Sequence, residues 1–277
     1  MITIPDFADK AELIDYLISN KTALIAQKKS ATKFADAINY GVHLIVGKDE
    51  STVKAEGAGN VVGPDALQIK VRSIINTTKL FDSHGDVHFD QLWNKSLKEG
   101  SFYLVKQHEF NFEGIISDNV KAFTKQMTWH ELGINFEGKT QALVFDSVID
   151  KAENPLMFEK YRTGKVKQHS VGMQYVKIEL AVNDDCYEKE FAVWEKYFDE
   201  IANKEDVLSA GYFWAVTEAK IIEGSAVVKG SNWVTPTLNI QQTKSQPDES
   251  TGKQSNEPPK ALKASELIKF YQPSKHV

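Results

Sequence analysis

The chain has 277 residues, 42% hydrophobic and 26% charged, the balance of a soluble globular protein long enough to bury a sizeable core. A formal net charge of −5 argues against a general nucleic-acid binder. No apolar run approaches the roughly 20 residues of a membrane span, and a single cysteine, Cys186, excludes an internal disulfide and any multi-cysteine zinc site.

Met1 to Asp6 show no basic region leading into an apolar core, so no secretory signal is expected, and a lone thiol fits a reducing cytosol. Residues 7–28 read as an amphipathic helix, with Leu13, Ile14, Leu17 and Ile18 on one face and Asp6 or Asp9 as its cap. Residues 31–40 suggest a second short helix. Residues 47–65, rich in Gly, Lys, Glu and Asp, read as a linker.

Polar and apolar residues alternate from Gln68 to Ile75, as in a half-buried strand. Asp82–Asp86 is a turn, and Phe89–Lys98 reads as a short helix. Ser101–Gln107 reads as a strand that delivers His108 to its end. Thr140–Val148 is a further strand. Asn154-Pro155 opens a helix that Gly164 closes. Val166–Leu180 is a long strand carrying Ser170. Residues 187–206 return to helical spacing, with Phe191, Trp194, Tyr197, Phe198 and Ile201 as a core-packing stripe, and Trp214–Val228 returns to strand texture. From Gln241 to Ser265 the composition is too polar to order itself, and the apolar patch Leu267–Tyr271 follows. Cys186, after Asn183-Asp184-Asp185, reads as an incidental surface thiol.

A serine hydroxyl attacks only when a base takes its proton, and histidine is the usual base. Ser170, in Gln168-His169-Ser170-Val171-Gly172, and His108, in Val105-Lys106-Gln107-His108-Glu109, are the candidates. His169 adjoins Ser170 on the strand, so it points to the opposite face and is a poor base. His84 and His88 lie beside Asp82, Asp86 and Asp90. This spacing is read as an acidic, solvated turn in preference to a metal site, and no cofactor is expected. A G-x-S-x-G elbow is absent around Ser170, which counts against an α/β-hydrolase.

Four blocks occur in order: Asp82-Ser83-His84-Gly85-Asp86; Lys106-Gln107-His108-Glu109 followed by Gly114-Ile115; Ser170-Val171-Gly172-Met173; and Glu223-Gly224-Ser225-Ala226-Val227. This order resembles the prohead proteases of tailed bacteriophages, over about residues 66–240. Their pattern runs D-x-x-G-D, Q-H-[DE] before Ile-Gly, S-[IV]-G-[FM], then E-V-S-[LIV]-V and a Pro-Ala-Asn-like segment. The resemblance implies an α+β fold, a bent β-barrel of the herpesvirus assemblin type surrounded by helices. On this reading residues 1–65 are an N-terminal helical extension and linker, 66–240 the protease domain, and 241–277 a flexible, disordered tail. It further implies a serine endopeptidase that cleaves scaffold, coat-protein segments and itself inside an immature capsid in the host cytoplasm. Scaffold protein and major capsid protein would be its partners, with a homodimer admitted and neither nucleic acid nor membrane engaged.

On that likeness Ser170 is the nucleophile and His108 the general base. The third member in the herpesvirus relatives is a histidine after the serine. Here only His276 follows, so Glu223 is the candidate to orient His108 and stabilise its charged form. The chain departs from the pattern at Gly224, where a bulkier residue is usual. It also has Gly230-Ser231-Asn232-Trp233 in place of Pro-Ala-Asn, and a longer segment at about residues 181–215. The alternative is an inactive capsid scaffold or assembly protein that keeps the protease fold.

Overall fold

The structure, a computed structural model, describes residue 7, residues 9–30 and residues 62–243. The expected helix at 31–40, most of the expected linker and the expected tail, including its apolar patch, lie outside the described residues.

The elements in chain order are α1 (Lys10–Ser30), β1 (Gln68–Thr77), β2 (Asp86–His88), α2 (Ser96–Glu99), β3 (Leu104–Lys106), β4 (Ile115–Ser117), β5 (Val120–Thr128) and β6 (Lys139–Asp150). There follow α3 (Pro155–Arg162), β7 (Gln168–Val182), α4 (Glu188–Tyr197), α5 (Lys204–Ala210), β8 (Tyr212–Val227) and β9 (Thr237–Gln242). The molecule is therefore mixed α and β, and the strands make two sheets. One is antiparallel throughout, in the order β5-β6-β1-β9. The other is organised on β8, which pairs antiparallel with β7 along one edge. Along its other edge β8 pairs parallel first with β2 and then with β3, and β3 carries β4.

Local chemistry accounts for the element ends. The Asp9 carboxylate accepts the Glu12 N–H at 2.9 Å and caps α1. Asn154 accepts the Met157 N–H at 3.2 Å, Pro155 takes the first helical position, and Gly164 leaves α3 at φ 66°. The helix expected over Phe89–Lys98 shrinks to the single turn of α2, a correction with a visible cause. Gln91 adopts φ 71° and donates its N–H to Gln141 Oε1 at 2.7 Å, which bends the chain where a helix would run straight. The strand expected over Ser101–Gln107 is regular only from Leu104 to Lys106, with single main-chain bonds to β8 from Tyr103 and Gln107 at its two ends.

The core lies between the sheets. Ile69, Val71, Ile75, Phe145 and Ile149 of the first sheet meet Leu104, Val171, Met173 and Ala226 of the second. The other face of the first sheet is covered by a smaller cluster of Ile74, Val144, Trp129, Leu132 and Val234. At roughly 25 cal/mol per Å² of apolar surface removed from water, these faces supply the main force for closure. The aromatic stripe of α4 packs inward as core, Trp194 stacking on Phe198 at 4.8 Å and leaning on Phe213.

α1 packs on β7 through Ile14, Leu17 and Leu24, and basic side chains tie it down. Lys10 Nζ donates to the Leu208 carbonyl at 3.0 Å, Lys21 pairs with Glu190, and Lys28 Nζ meets the buried Asp86 Oδ1 at 2.7 Å.

Candidate active site

Register brings the candidate residues together. In the β7–β8 ladder Ser170 stands opposite Ser225, and Gly172 opposite Glu223. Side chains alternate along a strand, so Ser170, Ser225 and Glu223 share one face, with directly opposed Cβ atoms about 5 Å apart. The ladder is unbroken from Gln168 to Gly172, and its first irregularity comes after Gly172.

β3 brings the histidine to that face. Val105 lies beside Ser225 in parallel register, and the Gln107 N–H continues the pairing to the Ala226 carbonyl at 2.9 Å. The chain then folds back through two left-handed residues, Gln107 at φ 48° and His108 at φ 59°. Such conformations persist only where the surroundings hold them. Here the His108 N–H donates to Ser225 Oγ at 2.8 Å, and the Glu109 N–H to the Lys106 carbonyl at 2.9 Å. The ring of His108 then meets Glu223, with Nδ1 to Oε1 at 2.6 Å. A carboxylate opposite Nδ1 makes that nitrogen the donor and leaves Nε2 as the basic position of the neutral ring.

The three residues are buried: Ser170 at 4% exposure, His108 at 8% and Glu223 at 0%. Burial pushes the Glu223 carboxyl above the usual carboxylate range, while His108 and the Gly172 N–H act in the opposite direction. Glycine at 172 makes the arrangement possible, since a Cβ there would overlap Glu223 Oε1. On the other face of β8, Gly224 makes room for the Phe145 ring and Ile75, so the core supplies the bulk that residue 224 lacks.

The segment after β8 runs alongside β7 next to Ser170. The His169 N–H donates to the Thr235 carbonyl at 3.0 Å, and Thr235 Oγ1 donates back to the His169 carbonyl at 2.6 Å. Between these clamps Gly230 lies close to Ser170, where a Cβ on residue 230 would stand 3.7 Å from that of Ser170. Asn232 braces this loop, accepting Thr77 Oγ1 at 3.1 Å and donating to the Thr77 carbonyl at 2.9 Å.

His169 occupies the opposite face of β7 and belongs to the core. Its Nδ1 faces the Thr235 carbonyl at 3.1 Å, and its Nε2 accepts the Tyr161 hydroxyl at 2.9 Å. Burial, opposed by the Thr235 carbonyl, depresses its pKa to about 4.

The Asp82–Asp90 turn lies at the other end of β8, where β2 pairs with Trp214–Val216. Asp82, His84 and Asp86 are near enough to one another to hold a cation. Asp82 Oδ1 instead accepts the main-chain N–H groups of His84 and Asp86, and Asp86 accepts Lys28 Nζ at 2.7 Å and the Tyr175 hydroxyl at 2.7 Å. The turn is thus not the solvated one expected: Asp82 and Asp86 are buried, and an ammonium rather than water answers the charge of Asp86. His88 packs between Trp93 and Tyr175, with Nδ1 against the Asn76 amide. Asp90 receives the Thr78 hydroxyl at 2.6 Å and the Lys79 amine at 3.1 Å.

Sequence reasoning assigns no role to Ser225 or to the space at Gly172. Both follow from the spacing Glu-x-Ser on one strand and Ser-x-Gly on its neighbour, once the two are known to pair in this register. No protein-family model matches the chain, no curated protein matches it, and no solved structure matches it.

Proposed function

We propose that the chain is a serine endopeptidase of the prohead-protease type, with Ser170 as nucleophile, His108 as general base and Glu223 as the residue that orients it. The observation that carries this reading is the 2.6 Å contact of His108 Nδ1 with the buried Glu223 carboxylate, on the sheet face that also bears Ser170. In the proposed reaction His108 Nε2 takes the Ser170 hydroxyl proton while Oγ attacks the substrate carbonyl. His108 then returns that proton to the leaving amine as the C–N bond breaks. Water, deprotonated by the same nitrogen, releases the acyl group and regenerates Ser170. Glu223 keeps the tautomer and stabilises the imidazolium. The Gly230 N–H is already given to Gln168 Oε1 at 3.3 Å, so the main-chain N–H groups of Ser231 and Asn232, in the segment beside Ser170, are the candidate donors to the oxyanion.

The fold belonging to this reading is the bent barrel of the assemblin type, with the two sheets as its walls. Its substrates are the scaffold and coat-protein segments of an immature capsid, and the protein acts inside that shell in the host cytoplasm. The Gln241–Lys263 stretch, rich in Gln, Ser, Pro and Lys, is its self-cleavage target.

One observation favours the second reading, an assembly protein that keeps the fold without activity: the deep burial of Ser170, with Gly230 close beside it. A fluorophosphonate probe on the full-length chain separates the two. Labelling of the native chain that disappears in Ser170→Ala supports the protease. A native chain as inert as Ser170→Ala overturns it in favour of the second reading.

A further inference from the structure

Ser225 is wholly buried and stands directly across the ladder from Ser170. Its hydroxyl is used twice, at the end of β3. It accepts the His108 N–H at 2.8 Å and lies 3.3 Å from the Val105 carbonyl, to which it donates. Both bonds go to the segment that carries the base. They fall where β3 stops pairing and Gln107 and His108 enter the left-handed region, a conformation that non-glycine residues adopt only when held there. Two residues earlier on the same face of β8, Glu223 holds the ring of the same histidine. One strand therefore grips His108 at two points, the main chain through Ser225 and the imidazole through Glu223.

We propose that Ser225 is a positioning residue: its hydroxyl fixes the main chain at residue 108 so that the ring presents Nδ1 to Glu223. This rests on the reading of His108 as the general base. Without the hydroxyl, the His108 N–H loses its acceptor inside a buried site, and the left-handed turn loses the bond that fixes its second residue. The ring then samples positions off the Glu223 carboxylate. A shift of about 1 Å in a reacting group is enough to cost on the order of 10²-fold in rate.

The test uses the full-length chain as native protein and as Ser225→Ala, with a fluorophosphonate probe whose maximal inactivation rate and half-saturating concentration are measured separately. In parallel, protein labelled with ¹⁵N-histidine reports the Nδ1 and Nε2 signals of His108, assigned by their loss in His108→Gln. The expected result is a fall of about 10²-fold in the maximal inactivation rate with the half-saturating concentration unchanged. It is accompanied by a displaced Nδ1 signal of His108. An inactivation rate within about twofold of native, together with unchanged His108 signals, overturns the proposal. If Ser225→Ala does not fold, Ser225→Cys, close in size and a weaker acceptor, replaces it in both measurements, with the same results supporting or overturning the proposal. A native chain that does not react with the probe but whose His108 signals move in Ser225→Ala retains the positioning role and loses the protease reading. A reactive native chain with an indifferent variant does the reverse.

Discussion

Gly172 faces Glu223 across the β7–β8 ladder, and the carboxylate occupies the volume that a side chain at 172 would fill. The glycine two residues beyond the candidate nucleophile is thus a spatial requirement of the residue that holds the His108 ring. Gly172→Ala is expected to displace Glu223 from His108. Overpacking of this kind costs typically 1–3 kcal/mol, so a modest fall in melting temperature is expected. Fluorophosphonate reactivity is expected to fall far more steeply than stability. Equal, small losses in both would show that the Glu223 contact is not used.

Substitutions at the three candidate residues should rank. Ser170→Ala and His108→Ala each remove a member of one unit, and single losses of this kind cost on the order of 10⁴ to 10⁶ in kcat. Glu223→Gln keeps the size and the nucleophile and removes the charge, so it should cost less than Ser170→Ala. Trimming of co-expressed scaffold and coat protein, read by intact mass, checks the order. Native-rate trimming by Ser170→Ala would remove Ser170 from the mechanism.

His169 predicts a pH dependence of stability. Its folded pKa of about 4 lies below the ordinary 6.5, because the buried ring must stay neutral. The unfolded chain therefore binds the extra proton first. The stabilisation is complete above about pH 6.5 and is lost progressively as pH falls toward 4, reaching on the order of 3 kcal/mol. Denaturant midpoints across this window should slope downward with acid in the native protein, and less so in His169→Gln. Parallel slopes in the two proteins would exclude the assignment.

The Lys28–Asp86 pair predicts a large effect far from Ser170. Asp86 has a fully buried side chain, and the Lys28 ammonium meets it at 2.7 Å. Removing one member of a buried pair costs typically 3–5 kcal/mol, because the remaining charge stays in the interior. Lys28→Met should show that loss in thermal unfolding, and Lys28→Met with Asp86→Asn should recover much of it. An additive double variant would mean that the two groups are energetically independent.

Much of the fold is legible in the sequence because its strands and helix ends obey local rules. The alternation of Gln68–Ile75, the Asn154-Pro155 start and the Gly164 stop each announce themselves within a few residues. The left-handed Gln91 does not, since its conformation answers to Gln141, 50 residues away. β5 escapes the sequence reading because Val120 and Ala122 fall on one face and Phe123 and Met127 on the other, which breaks the alternation, and β9 lies at the edge of a polar stretch that composition assigns to the tail. His108 and Glu223 are each visible as residues. Their meeting depends on the register of β8 against both β3 and β7, which no local pattern carries. Lys28 reads as one more helix-surface cation, and nothing in residues 7–28 signals that Asp86 lies buried beneath it.

β8 has a consequence for when the site comes into being. His108 waits for Glu223, 115 residues later, and Ser170 is placed by a strand that ends at Val227. Contacts so distant along the chain form late, after the entropy of closing long loops has been met. A growing chain that has emerged only as far as α5 holds the serine and the histidine but neither the strand that aligns them nor the carboxylate that turns the ring. The candidate site is thus absent from every shorter nascent fragment, and its geometry is complete only when the last long strand is laid between its neighbours.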